Sequence, residues 1–218
     1  MRASSVSASR FFLRAFWVGV ASVSLTAVIG ATEASTASAT RLCTTLSCEP
    51  ADTYPANTQL AASLEEGTKF KILSTVGTIE CENSMIGGET TAGTGKPLAL
   101  KITELSFTGN CHLGGLSTCT STIISLPTTP WLEATGEGDG IFSIEGAKSI
   151  EGNVRFKCGN FLSCYFTMPT ATFQLKGGNP ASFGATKVAL EGLGLCPETS
   201  ELDATYTLTE PAPAYLVG

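Results

Sequence analysis

Cys158 and Cys164 lie six positions apart in FKCGNFLSCYF, and six more cysteines, Cys43, Cys48, Cys81, Cys111, Cys119 and Cys196, are spread along the same chain. Thiols at such positions can hold zinc, shuttle electrons or form disulfides. Structural zinc sites pair C-x2–4-C units with each other or with histidines. The short spacings here are C-x4-C at 43–48, C-x7-C at 111–119 and C-x5-C at 158–164, and only the first is compatible. No C-x-x-C redox motif occurs. An even cysteine count in an exported chain reads as a disulfide framework, whose connectivity sequence alone does not fix. All eight are therefore disulfide candidates.

The other reactive residues are poorly arranged for catalysis. His112, the single histidine, adjoins Cys111 in GNCHLGG, and neighbours on a strand point to opposite faces. No G-x-S-x-G elbow is present, since GLSTC at 115–119 lacks the second glycine. GETTAGTGKP at 88–97 resembles a phosphate loop but has Thr90 and Pro97 where a Walker A needs glycine and a hydroxyl residue. Glu80 with Glu82, and Glu137 with Asp139, are close carboxylate pairs of the kind a glycosidase uses across a cleft. In a chain with 19 acids such pairs arise by coincidence, and they read as solvated turns. These residues give no catalytic, cofactor-binding or metal site. Trp131, after PTTP, is a possible glycan contact if its ring is exposed.

What positions these residues begins with the N-terminus. Arg2, Arg10 and Arg14 precede the apolar run AFWVGVASVSLTAVIGA, and small residues follow. That is the layout of a secretory signal peptide over residues 1–39, with Ala37-Ser38-Ala39 before a cut at Thr40 and an earlier cut near Gly30 or Ala31 as the alternative. The full chain carries a net charge of −6. Cleavage removes three arginines and Glu33 and makes the balance more negative by two. Nucleic acid and anionic membrane, which need clustered Lys or Arg, are disfavoured as partners. LPTTP at 126–130 is not a sorting signal, because Pro130 stands at the cleavage position. No stable membrane anchor is expected after cleavage, so localisation is expected to be secreted, and the partner an extracellular ligand or cell-surface component.

Residues 40–66 read as an irregular cysteine-containing lead-in, with LAASLEEG at 60–67 as the one weak helix candidate. Residues 67–218 read as a single β-rich domain. Alternation places Leu98, Leu100 and Ile102 on one face, after which the phase slips to Leu105 and Phe107, predicting a bulge near Thr103. Val154, Phe156 and Cys158 alternate in the same way, as do Ala171, Phe173 and Leu175, Val188 and Leu190, and Ala204, Tyr206 and Leu208. Glycine-rich turns are expected at 87–88, 136–140, 177–180 and 192–194. Short punctuated strands without alternating helices predict an all-β fold, an antiparallel β-sandwich or barrel-like domain stapled by disulfides.

The motifs GTIECENSMIGG, LALKITELSFTGNC, KCGNFLSC, GGNPA, LCPE and ATYTLTEPAPAYL together resemble a group of exported, cysteine-containing proteins found as many paralogues in soil actinobacteria. The resemblance implies export and an all-β body, and transfers no catalytic residue. The expected function is a secreted, non-enzymatic binding or structural module. A carbohydrate-binding module or a carboxylate-dependent hydrolase is the alternative. For the cysteines, VRFKC and CYFTM as strands around a five-residue GNFLS loop would set Cys158 opposite Cys164 and favour a cross-hairpin bridge. A faint internal echo between Cys81–Cys111 and Cys164–Cys196 offers the other pairing, Cys164 with Cys196 and Cys119 with Cys158.

Overall fold

A computed structural model describes residues 38–115, 117–145, 153–193 and 196–218. Residues 1–39, read from the sequence as a signal peptide, lie outside the described residues except for Ser38 and Ala39. The strands are β1 (Thr40–Cys43), β2 (Gln59–Leu64), β3 (Phe70–Ser74), β4 (Gly77–Cys81), β5 (Asn83–Thr90) and β6 (Thr94–Gly95). They continue with β7 (Leu98–Thr108), β8 (Cys111–Leu113), β9 (Ser117–Ile123), β10 (Thr128–Gly136), β11 (Asp139–Glu145) and β12 (Val154–Cys158). The last are β13 (Leu162–Thr167), β14 (Thr170–Lys176), β15 (Ser182–Leu193), β16 (Thr199–Glu210) and β17 (Tyr215–Val217). A 3-10 turn at Pro50–Asp52 is the one helical element among the described residues.

Eight strands close an antiparallel barrel in the order β10-β11-β14-β15-β16-β2-β5-β7, with β7 pairing back onto β10. The long β15–β16 hairpin is its spine. One half of that hairpin pairs with β14 and β2, and the other half with β13 and β3. From this second half an outer arc runs β13-β12-β9-β8-β4-β3. Between Ala185 and Val188 β15 carries one extra residue, with Lys187 at φ 58°. A bulge bends the strand that carries it, here where the hairpin passes from barrel to arc.

Period-two alternation explains the core. Leu98, Leu100 and Ile102 point inward and are buried. Gly87 then pairs with Glu104 and Gly88 with Ile102, which leaves Thr103 as the extra residue and brings Phe107 inward. The bulge read from the phase slip is thus present. Gly87-Gly88 is not a turn, however. It lies mid-strand opposite that bulge, where a Cβ on Gly88 would sit 2.6 Å from the Lys101 carbonyl oxygen. Phe142, Phe173, Phe183 and Tyr206 form one aromatic cluster, with centroids 5.2–6.0 Å apart in successive contacts. Phe70, Phe107, Phe156 and Phe166 form a second, where the arc covers the core.

The irregular lead-in is corrected by the structure. Thr40–Cys43 pairs with β17 and with β6, forming a three-stranded sheet that buries Leu42 and Leu216. Bridges from Gly138 to Leu216 and from Gly178 to Ala214 fasten this sheet to the turns at one end of the barrel. The helix candidate at 60–67 is instead β2, a barrel strand between β16 and β5, followed by a turn. Leu60, Ala62 and Leu64 share a strand face, so the spacing that suggested a helix serves a strand equally well.

Candidate functional site

The cysteines form four bridges: Cys43–Cys48, Cys81–Cys111, Cys119–Cys158 and Cys164–Cys196. The cross-hairpin bridge between Cys158 and Cys164 is not made. The β12–β13 connection is a three-residue turn, Gly159-Asn160-Phe161, rather than five residues, and Gly159 adopts φ 58°. The register therefore sets Cys158 opposite Leu162 and Phe156 opposite Cys164. On its other side Cys158 is directly opposite Cys119 of β9, with Cα atoms 3.9 Å apart.

Cys119 in turn lies opposite Cys111 of β8, and Cys111 is bridged to Cys81 of β4 at a Cα separation of 4.0 Å. Cys81, Cys111, Cys119 and Cys158 thus occupy one cross-strand row over four consecutive strands, and all four are buried. Cys164–Cys196 ties β13 to the loop of the β15–β16 hairpin, and Cys43–Cys48 closes the loop after β1. No cysteine is free.

The acid–base residues lie on the outside. Glu80 accepts from Lys69 Nζ at 2.9 Å, with Lys71 Nζ at 4.0 Å and His112 Nε2 at 3.6 Å. The hydrogen bond from Lys69, reinforced by the charges of Lys69 and Lys71, holds the Glu80 carboxyl below its ordinary pKa. Glu82 accepts from Asn110 Nδ2 at 3.1 Å, joining the β4–β5 and β7–β8 connections. Asp139 Oδ1 accepts the Gly177 amide at 2.9 Å, joining two barrel turns. Glu137 is exposed at φ 55° in the two-residue turn Glu137-Gly138, where Gly138 has φ 86°. Two positive φ values at these positions are the type I′ geometry that suits the twist of a β-hairpin. Among the described residues no Asp, Glu, Lys, Arg or His is buried, and no group of three potential metal ligands converges.

Trp131 is half-buried on the outer face of β10, beside Ala99 and Ser143 in register. Its neighbours Pro130 and Leu132 point inward and are buried. No second aromatic ring extends its surface among the described residues.

The interior differs in kind. It is apolar, but it contains a hydroxyl pair that sequence reading did not single out. Tyr206, taken only as a core residue of β16, places its hydroxyl 2.8 Å from Ser84 Oγ of β5, and both side chains are buried. Burial pushes the Tyr206 phenol up to about 12, so it is neutral across the physiological range. The alternation of β16 marked Tyr206 as inward. Nothing in the sequence linked it to a serine 122 positions away.

Fold and surroundings define a closed antiparallel β-barrel with an outer arc, braced by four disulfides and apolar inside. Comparison with protein-family models, with curated proteins and with solved structures finds no match. Among the described residues no helix is long and apolar enough to cross a membrane, and the four disulfides are consistent with an extracellular protein.

Proposed function

We propose that this chain is an exported, non-enzymatic binding module that is released from the cell after loss of residues 1–39 and engages an extracellular ligand or a cell-surface component. The observation that carries the reading is the separation of chemistry from the interior. The described carboxylates and the histidine lie outside, several of them in ion pairs or turn hydrogen bonds, while the enclosed space is apolar. Acid–base catalysis needs a titratable group within hydrogen-bond reach of a bound substrate, and this arrangement supports binding over turnover. Four bridges suit an oxidising compartment, as does the basic and apolar N-terminus. The resemblance to exported actinobacterial proteins points the same way.

The test is purification of the protein from the culture medium of its native host, with its cross-linked partners, followed by non-reducing peptide mass mapping. A mature N-terminus near Thr40 and a co-purifying extracellular component are expected. Turnover that survives purification and is abolished by one point substitution would overturn the reading.

A further inference from the structure

Two cavities, of about 40 and 60 Å³, lie inside the barrel. Ile86, Ile102 and Phe142 line both, so these three side chains form the partition between them. Protein interiors pack to crystal-like density, and voids larger than a water are few. A water needs on the order of 10–15 Å³ and two or more polar partners. These spaces are large enough for water but offer almost nothing to hold it. The smaller has no polar side chain in its lining, and the larger has only Asn153 and Tyr206.

The Tyr206–Ser84 pair is short of one acceptor. Two hydroxyls carry two hydrogens, one of which makes their mutual bond. Among the described residues no acceptor is within reach of the other. Pro127, Asn153 and Met168 also line the larger cavity. Asn153 is held in the wall by two bonds: its Nδ2 donates to Ser125 Oγ at 3.1 Å, and its Oδ1 accepts the Met168 amide at 3.0 Å.

We propose that the barrel interior is a binding site for a small neutral amphiphile, a hydrocarbon body with one hydroxyl or carbonyl oxygen, whose oxygen accepts the spare hydrogen of the Tyr206–Ser84 pair. This rests on the binding-module reading and names its ligand class. The hydrocarbon fills the paired cavities as the Ile86–Ile102–Phe142 partition yields. The absence of any cation from both linings selects against carboxylates, since a charge buried without a partner is heavily penalised.

The probes are 1-hexanol, hexanoate and benzene, added to the mature, fully oxidised protein, with methyl NMR of Ile86 and Ile102 and thermal melting as readouts. Saturable methyl shifts and a raised Tm are expected with 1-hexanol. Hexanoate at neutral pH should bind at least about tenfold more weakly. Tyr206→Phe with Ser84→Ala should weaken 1-hexanol about fivefold, the worth of one neutral hydrogen bond, and leave benzene unchanged. Should that pair unfold, Tyr206→Phe alone, which removes the hydroxyl that lines the larger cavity, carries the same comparison. Absence of saturable shifts, equal binding of hexanoate, or equal loss of benzene and hexanol would overturn the proposal. Gas chromatography of the recovered probe separates the two readings. A chemically altered probe sinks the non-enzymatic reading, whereas an unbound probe on an exported, bridged protein sinks only this inference.

Discussion

Replacing Cys119 and Cys158 together by alanine should cost far more than replacing Cys43 and Cys48 together. All four side chains are buried, so the loss of sulfur packing is similar in the two variants. What differs is the loop each bridge closes, with sequence separations of 39 and 5. The chain-entropy relation gives ~3.9 kcal/mol for the first and ~2.1 kcal/mol for the second at 25 °C. With a urea m-value of about 2 kcal/mol/M, the midpoints should fall by about 2 M and about 1 M. Equilibrium urea unfolding by far-ultraviolet circular dichroism measures both. A cross-hairpin bridge at Cys158–Cys164 would close a loop of only six positions and be worth ~2.2 kcal/mol by the same relation. Equal losses for the two double variants would refute the entropic argument. The single variant Cys119→Ala tests the pairing itself. It should leave Cys158 as the free thiol, alkylated once the protein is unfolded in denaturant, and peptide mass mapping that finds the label on Cys196 or Cys164 instead would refute the register.

Phe156→Ala removes a ring that is fully buried between Phe70, Phe107 and Phe166, and should cost about 3–5 kcal/mol in urea unfolding. Gly88→Ala drives a Cβ against the Lys101 carbonyl opposite the bulge and should cost about 1–3 kcal/mol, read as a lowered midpoint with unchanged m. Glu80→Gln tests the outer ion-pair cluster. Because the folded carboxyl titrates below its unfolded value, the cluster stabilises at neutral pH, and its contribution fades as pH falls through the unfolded and then the folded pKa. The variant should therefore lose less than about 1 kcal/mol at pH 7, and the difference from wild type should vanish in acid.

Core faces were legible in the sequence wherever alternation was regular. The inward sets at 154–158, 171–175 and 204–208 are buried as read, and the phase slip at Thr103 is a bulge. What was not legible depends on partners far away in the chain. Gly87-Gly88 carries a turn composition, but its role is set by β7, whose bulge brings a carbonyl against it. The lead-in was underestimated because β1 pairs with β17, at the opposite end of the sequence, and β2 with β16. The disulfide choice turned on two residues of loop length, fixed by the backbone of Gly159. The interior site was hidden for a related reason. A cavity is the shortfall between side chains of many strands, and the Tyr206–Ser84 pair joins β16 to β5 through register alone.

The cysteine row has a consequence for how the chain is oxidised. Its two middle members, Cys111 and Cys119, face each other across the β8–β9 hairpin, only eight positions apart in sequence. Within the row they are the readiest pair to meet during maturation, because short loops close at least entropic cost. A bond between them would leave Cys81 and Cys158 on the outer strands, about 14 Å apart at three strand spacings, beyond disulfide reach. That decoy must be undone by thiol attack before the native pairs can form. Quenched refolding time points should accordingly contain Cys111–Cys119 early, and added disulfide isomerase should shorten its lifetime. The same even spacing that makes the row a strong brace in the finished barrel makes it a sorting problem for the chain that builds it.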